Sequence, residues 1–209
     1  MNKYINDLVD RYPKLKICEE NIFQTFLLLK EAALNNKKIL VCGNGGSSAD
    51  SDHIVGELMK SFVKKRKINS DLQSKIEELS PENATLLNTK LEDTISAINL
   101  SQHSALNTAF SNDVDASLIF AQQIIGYGKE NDILICISSS GSSKNVVMAS
   151  IVAKAKGLKV IALTGSKEGD IDKYCDVIIK VPENETYKVQ ELHLPIYHSL
   201  CLMLEDIMW

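Results

Sequence analysis

The sequence predicts an α/β fold, a doubly wound and mainly parallel five-stranded sheet with helices on both faces. Five short apolar runs, KILVC (38–42), TISAINL (94–100), DILICIS (132–138), KVIALT (159–164) and DVIIKV (176–181), are rich in β-branched residues and do not alternate with polar ones. Strands covered on both faces have that pattern. Helical patterns separate the runs and supply the crossovers a parallel sheet needs. Two of the runs also feed through glycine- and serine-rich turns straight into helices.

Taken in order, helices are signalled at Glu19–Asn36, Ser48–Lys64, Asp115–Gly126, Ser143–Lys156 and Thr186–Glu205, with Gly157 a stop after VAKAK. The segment 63–93 breaks the rhythm, being polar and charged with almost no strand signal. It reads as an insertion of two short helices, one within Ile68–Leu79 and one opened by Ser80 as N-cap with Pro81 in the first turn. The cluster Lys64-Lys65-Arg66-Lys67 at its start reads as a solvated helix end, the alternative being a grip on phosphates. Pro195 falls inside the last helix and is expected to bend it.

A chain of 209 residues with 44% hydrophobic content can bury one good core, so residues 1–209 form a single domain. Its formal charge of -4 gives no basic field to hold nucleic acid or an anionic membrane. The opening MNKYINDLVDRYPKLK lacks the apolar core of a secretory signal, and no run approaches the length of a membrane span. A cytoplasmic location follows as the expectation. Five dispersed cysteines without a C-x-x-C pair read as buried, reduced thiols.

The turn Gly43-Asn44-Gly45-Gly46-Ser47-Ser48 lies between a strand and a helix, where backbone N–H groups and the helix dipole together receive an anion. A tight turn is the other reading of this loop alone. Both the dinucleotide fingerprint, whose third glycine would fall at Ser48, and the Walker pattern fail here. Ser138-Ser139-Ser140-Gly141-Ser142-Ser143 repeats the arrangement with more hydroxyls than a turn needs. Uncharged donors without arginine clamps favour a phosphate monoester on a small molecule over a nucleoside triphosphate.

Behind the first loop, His53 and Glu57 stand four apart on one helix face, as a site or as a surface pair. In the last helix Gln190 and His198 share a broad face, whereas His193 is out of phase and reads as a core or interface histidine.

The stretches CGNGGSSADSDHIVGEL, SSSGSS, LTG and VQELHLPIYH, in this order, closely resemble the phosphoheptose isomerases of the sugar isomerase (SIS) domain superfamily, which are flavodoxin-like. The resemblance spans nearly the whole chain outside the insertion. It implies an aldose–ketose isomerase for a sugar phosphate, with sedoheptulose 7-phosphate leading, and Glu57 and His198 as catalytic residues. It implies that Ser47, Ser138, Ser139, Ser140 and Ser143 hold the phosphate, that Asn44, Gly45, Gly46, Asp113 and Gln190 line the site, and that His53, Glu57, Gln190 and His198 bind Zn²⁺. It further implies a homotetramer with sites at subunit interfaces. The chain departs from the family pattern in the length of 63–93, at Tyr187 and at Pro195. The alternative carried by the same superfamily is a non-catalytic phosphosugar sensor or a tetrameric assembly protein of the type that associates with the replication initiator.

Overall fold

The computed structural model describes residues 3–209. Strands β1 (Ile39–Gly43), β2 (Ala97–Asn99), β3 (Ile133–Ile137), β4 (Lys159–Thr164) and β5 (Val177–Lys180) form one parallel sheet in the order β2-β1-β3-β4-β5. The helices are α1 (Lys3–Arg11), α2 (Glu19–Leu34), α3 (Gly46–Met59), α4 (Ser70–Leu79), α5 (Pro81–Lys90), α6 (Ser104–Phe110), α7 (Ile119–Tyr127), α8 (Lys144–Ala155) and α9 (Thr186–Met208). Each apolar run supplies its strand. β2 is the most shortened, because the Ile95 N–H donates to the Leu58 carbonyl (3.0 Å) rather than extending the strand.

Successive strand residues face opposite ways, so the sheet feeds two cores. Ile39, Val41, Ile135 and Ile161 pack with α1, α2, α3 and α9, while Leu40, Cys42, Leu134 and Val160 pack with α7 and α8. Each such side chain removed from water contributes roughly 1.5–3 kcal/mol, which is why the runs need no polar face. All five cysteines are free; Cys18, Cys42, Cys136 and Cys201 are buried as expected, whereas Cys175 is only half-buried. No described helix is long and apolar enough to cross a membrane.

Two helices escaped the sequence reading. α1 fully buries only Ile5 and Leu8, with Tyr4 and Val9 packed at the edge of the core, and α6 fully buries nothing, so neither carries an apolar stripe long enough to announce itself. Ser111–Asp115 continues α6 as a π turn, and Asp115 caps the turn of 3₁₀ helix before α7 through the Ser117 N–H (2.7 Å). α7 therefore starts at Ile119 rather than Asp115.

α3 ends at Met59, five residues before the expected Lys64, and the reason is tertiary. The Glu205 carboxylate on α9 accepts from the N–H groups of Phe62, Val63 and Lys64 (2.8–3.0 Å), giving them a better partner than another helical turn would. Arg66 is not part of a solvated helix end. It is 1% exposed, pairs with Glu205 at 2.9 Å, stacks on Trp209 and donates to the carbonyls of Leu58 and Glu57 (2.8 and 2.9 Å).

The insertion is a helical hairpin of α4 and α5, closed at its base by a bridge between Lys67 and Glu92. Asn69 caps α4 through the Leu72 N–H (2.8 Å). Ser80 and Pro81 occupy the expected positions in α5, but the Ser80 hydroxyl turns to Glu82 and leaves the backbone uncapped. α9 runs unbroken through Pro195; the carbonyl that loses its partner belongs to exposed Glu191, where water can serve it.

His193 is fully buried, its Nε2 3.4 Å from the Thr164 carbonyl, and burial lowers its pKa to about 4. The folded chain therefore keeps His193 neutral where the unfolded chain, near its ordinary 6.5, takes up a proton. The native state should lose as much as about 3 kcal/mol relative to the unfolded state as pH falls from 6.5 to 4. Urea unfolding midpoints at pH 7 and pH 4.5 check this, and His193→Gln should flatten that part of the slope.

Candidate active site

Strand order reverses direction between β1 and β3, and an open α/β sheet binds ligands in the crevice beyond the carboxyl ends of such a pair. Both loops singled out from the sequence leave the sheet there. They are joined directly: Asn44 and Asn145 exchange side-chain hydrogen bonds of 2.9 Å each. Asn145 was missed in the sequence because nothing within its own helix marks it. Only the pairing of β1 with β3 brings it opposite Asn44.

The first loop is glycine-rich for steric reasons. A Cβ on Gly43 would stand 2.6 Å from the Ser47 carbonyl oxygen, and Gly45 has φ of 55°. A Cβ on Gly46 would meet the Gln190 amide at 2.6 Å, so the missing side chain lets Gln190 of α9 lie against the start of α3. Ser47 is buried in the first turn. In the second loop the Ser138 and Ser143 hydroxyls meet at 3.1 Å, Ser140 accepts from the Ser142 N–H (3.2 Å), and Ser139 is half-buried between them. Ser143 precedes α8 without capping it, which leaves the first N–H groups of that helix toward the crevice.

α3 and α9 run side by side, Gly46 against Gln190 at one level and His53 against His198 at the next. His53 Nε2 lies 3.3 Å from Glu57 Oε1 and 3.3 Å from His198 Nε2. Tyr197 and Phe62 complete an aromatic cluster around these imidazoles, the His53 and His198 rings standing 4.8 Å apart and nearly perpendicular. Burial, with His53 and Arg11 adding and Glu57 opposing, lowers the His198 pKa from its ordinary value. Glu57 Oε2 is buried without a hydrogen bond, its nearest cation being Lys60 Nζ at 3.7 Å.

Not all the predicted residues meet. Asp113 sits on the exposed π turn with its carboxylate on the Asn112 amide (2.8 Å), and Gln190 makes no hydrogen bond to the imidazoles. Tyr187 is 58% exposed on the first turn of α9. A hollow of about 410 Å³, lined by Leu28, Glu31, Asn35, Lys37 and Asn131 among others, lies before β1 and β3, at the end of the sheet away from the loops.

Among the described residues no three His, Cys, Asp or Glu side chains stand arranged to hold a metal ion. Glu57 and His198 both touch His53 but form no ion pair with each other. The donor chemistry nevertheless suits a divalent ion: two imidazole nitrogens and a carboxylate whose second oxygen is orphaned. The two separations of 3.3 Å are also close to the edge of a tetrahedron with bonds of about 2.0–2.1 Å.

Residues 94–206 match the SIS domain family, so fold, paired loops and match together make this an SIS-domain protein. A phosphoheptose isomerase of Nitratiruptor sp. is 37% identical over 194 residues, covering 91% of this chain and 90% of the relative. Another, from Thermodesulfovibrio yellowstonii, is 35% identical and covers 93% and 88%. The solved phosphoheptose isomerase of Francisella tularensis superposes with a TM-score of 0.75 at 28% identity, over 97% of this chain and 96% of that one. The chain belongs to the phosphoheptose isomerase family, whose activity is the isomerisation of sedoheptulose 7-phosphate to D-glycero-D-manno-heptose 7-phosphate.

Proposed function

We propose that this chain carries out that aldose–ketose isomerisation through an enediol, with Glu57 and His198 as its catalytic pair. The observation that carries the reading is the cluster of His53, Glu57 and His198 on two helices whose other ends meet at the anion loops. Ser47, Ser138, Ser139, Ser140 and Ser143 hold the phosphate with hydroxyls and N–H groups, while Asn44, Gly45, Gly46, Asp113 and Gln190 line the sugar's path. Glu57 removes a proton from C1 of the ketose as His198 gives one to the oxygen on C2, forming the enediol. The O1 proton then passes to His198 and Glu57 returns its proton to C2, so that the aldose forms and both residues recover their starting protonation. The lowered pKa of His198 keeps it neutral near pH 7, with an N–H to give and a lone pair to receive.

His53, Glu57, Gln190 and His198 would hold one divalent ion, Zn²⁺ in this reading, which would polarise the oxygens on the reacting carbons. The chain works as a cytoplasmic homotetramer with sites at subunit interfaces. Val63 and Val114, exposed beside the end of α3 and beside Asp113, are apolar surface that such an interface would cover.

Incubating the purified protein with sedoheptulose 7-phosphate, with added Zn²⁺ or with chelator, tests the reading. Product should form, chelator should suppress it, and His198→Asn should remove turnover and lower metal content. Saturable binding of the sugar phosphate without product would make the chain a phosphosugar sensor instead. A His198→Asn variant with full metal content would overturn the ligand assignment.

A further inference from the structure

The residues that follow β2 are tied to the first anion loop from behind and have no part in the reading above. The Ser101 hydroxyl donates to the Gly43 carbonyl at 3.0 Å. Ser101 is itself held in place, its N–H donating to Asn99 Oδ1 at 2.9 Å. The Asn99 amide nitrogen in turn donates to Asp52 Oδ1 on α3 at 2.7 Å and, less closely, to the Ser48 carbonyl at 3.4 Å. Gln102 donates to the other Asp52 oxygen. Asn99 is buried, and because a carboxylate only accepts, its amide nitrogen must face Asp52 and its oxygen must face Ser101.

We infer that Ser101 is a positioning residue that turns the backbone N–H of Asn44 into the crevice, as a donor to the sugar of the substrate. The inference rests on the isomerase reading for its purpose. The carbonyls of Gly43, Asn44 and Gly45 are all engaged, the first by Ser101, the second by the Ser47 N–H and the third by the Ser48 N–H, each at 3.0 Å. At the other ends of the same three peptide units, the N–H groups of Asn44, Gly45 and Gly46 make no hydrogen bond among the described residues. In a trans peptide the N–H points opposite to the C=O, so anchoring each carbonyl aims one donor.

The sheet gives the direction. β1 lies between β2 and β3, and the Gly43 carbonyl points toward the chain leaving β2, as the Val41 carbonyl does two residues earlier through the Leu100 N–H (2.9 Å). The Asn44 N–H therefore points the other way, toward β3, where the serine loop departs. Two of the three anchors are N–H groups of α3 itself, which any sequence supplies there; Ser101 is the anchor that a side chain provides. Without it the peptide between Gly43 and Asn44 is released, and Gly43 lets its ψ range widely. The Asn44 side chain is already engaged with Asn145, so the backbone N–H is the donor this residue has left to offer. A sugar hydroxyl remote from the reacting carbons is the acceptor that fits, since the serines take the phosphate. Such a contact is the same before and during reaction, so its loss weakens binding and spares the chemical step.

The test compares wild type with Ser101→Ala and Ser101→Thr, measuring turnover and equilibrium binding of sedoheptulose 7-phosphate and binding of inorganic phosphate. Ser101→Ala should raise both KM and the dissociation constant for the sugar phosphate about 5- to 30-fold, the worth of one hydrogen bond. Its kcat and its affinity for inorganic phosphate should stay within about threefold of wild type, because neither depends on the Asn44 N–H. Ser101→Thr keeps the hydroxyl and should recover most of the lost affinity. A merely structural serine would instead lower the melting temperature and weaken both ligands alike. That result, an unchanged dissociation constant in Ser101→Ala, or equal weakness of the alanine and threonine variants, overturns the inference. Failure of the isomerase reading shows separately, as wild type that binds the sugar phosphate and forms no product, and the dissociation constants then still decide the role of Ser101.

Discussion

Glu57→Gln is expected to lower turnover of the sugar phosphate by about 10²–10⁴-fold, the range a positioned acid–base group contributes. The amide has the size of the carboxylate and can keep the contact with His53 at 3.3 Å, but it cannot take a proton from carbon. The backbone at this position is held independently, since the Glu57 carbonyl accepts from Arg66 at 2.9 Å, so the helix end should stay in place. The phosphate loops lie at the other end of α3, and binding of the substrate should remain within about tenfold of wild type, because the lost interaction belongs to the transition state. Single-turnover assays beside equilibrium binding separate the two quantities. Equal loss of both would give Glu57 a structural role and remove the base from the proposed reaction.

The chemistry of this site was legible in the sequence where it depended on residues close together in the chain. A strand followed by Gly43-Asn44-Gly45-Gly46 and a helix announces an anion site locally, and so do the serines after β3. His53 and Glu57 show their shared face by spacing alone. The parts that stayed hidden depend on contacts between distant segments. Asn145 becomes part of the crevice only through the pairing of β1 with β3, and Tyr197 reaches His53 only because α9 lies along α3. An exposed-looking KKRK is an equally local signal, and it misled because its arginine finds a carboxylate 139 residues away. The end of α3 was misplaced for the same reason: a helix continues by propensity until a tertiary partner offers its N–H groups something better.

That partner makes the second large prediction. Arg66→Met should cost about 3–5 kcal/mol, the range for removing one member of a buried ion pair, and lower the melting temperature by roughly 6–20 °C for a chain of this size. The guanidinium does more than balance a charge. It satisfies the carbonyls of Glu57 and Leu58, the last residues of α3 before Met59, and stacks on Trp209. Methionine matches its volume but serves none of these. In many buried pairs, replacing both partners by apolar residues restores stability. Here it should not, because Glu205 also accepts from the N–H groups of Phe62, Val63 and Lys64. Burial works against the charge of Glu205, yet those three donors and Arg66 hold its pKa below the ordinary value. The double variant Arg66→Met, Glu205→Leu should therefore remain at least as unstable as Arg66→Met alone, since three part-buried backbone donors that shape the turn out of α3 would lose their charged acceptor. Thermal unfolding of the two variants decides the matter. Recovery in the double variant would mean that the pair is an isolated charge couple, and that the turn out of α3 behind Glu57 is held by something other than this carboxylate.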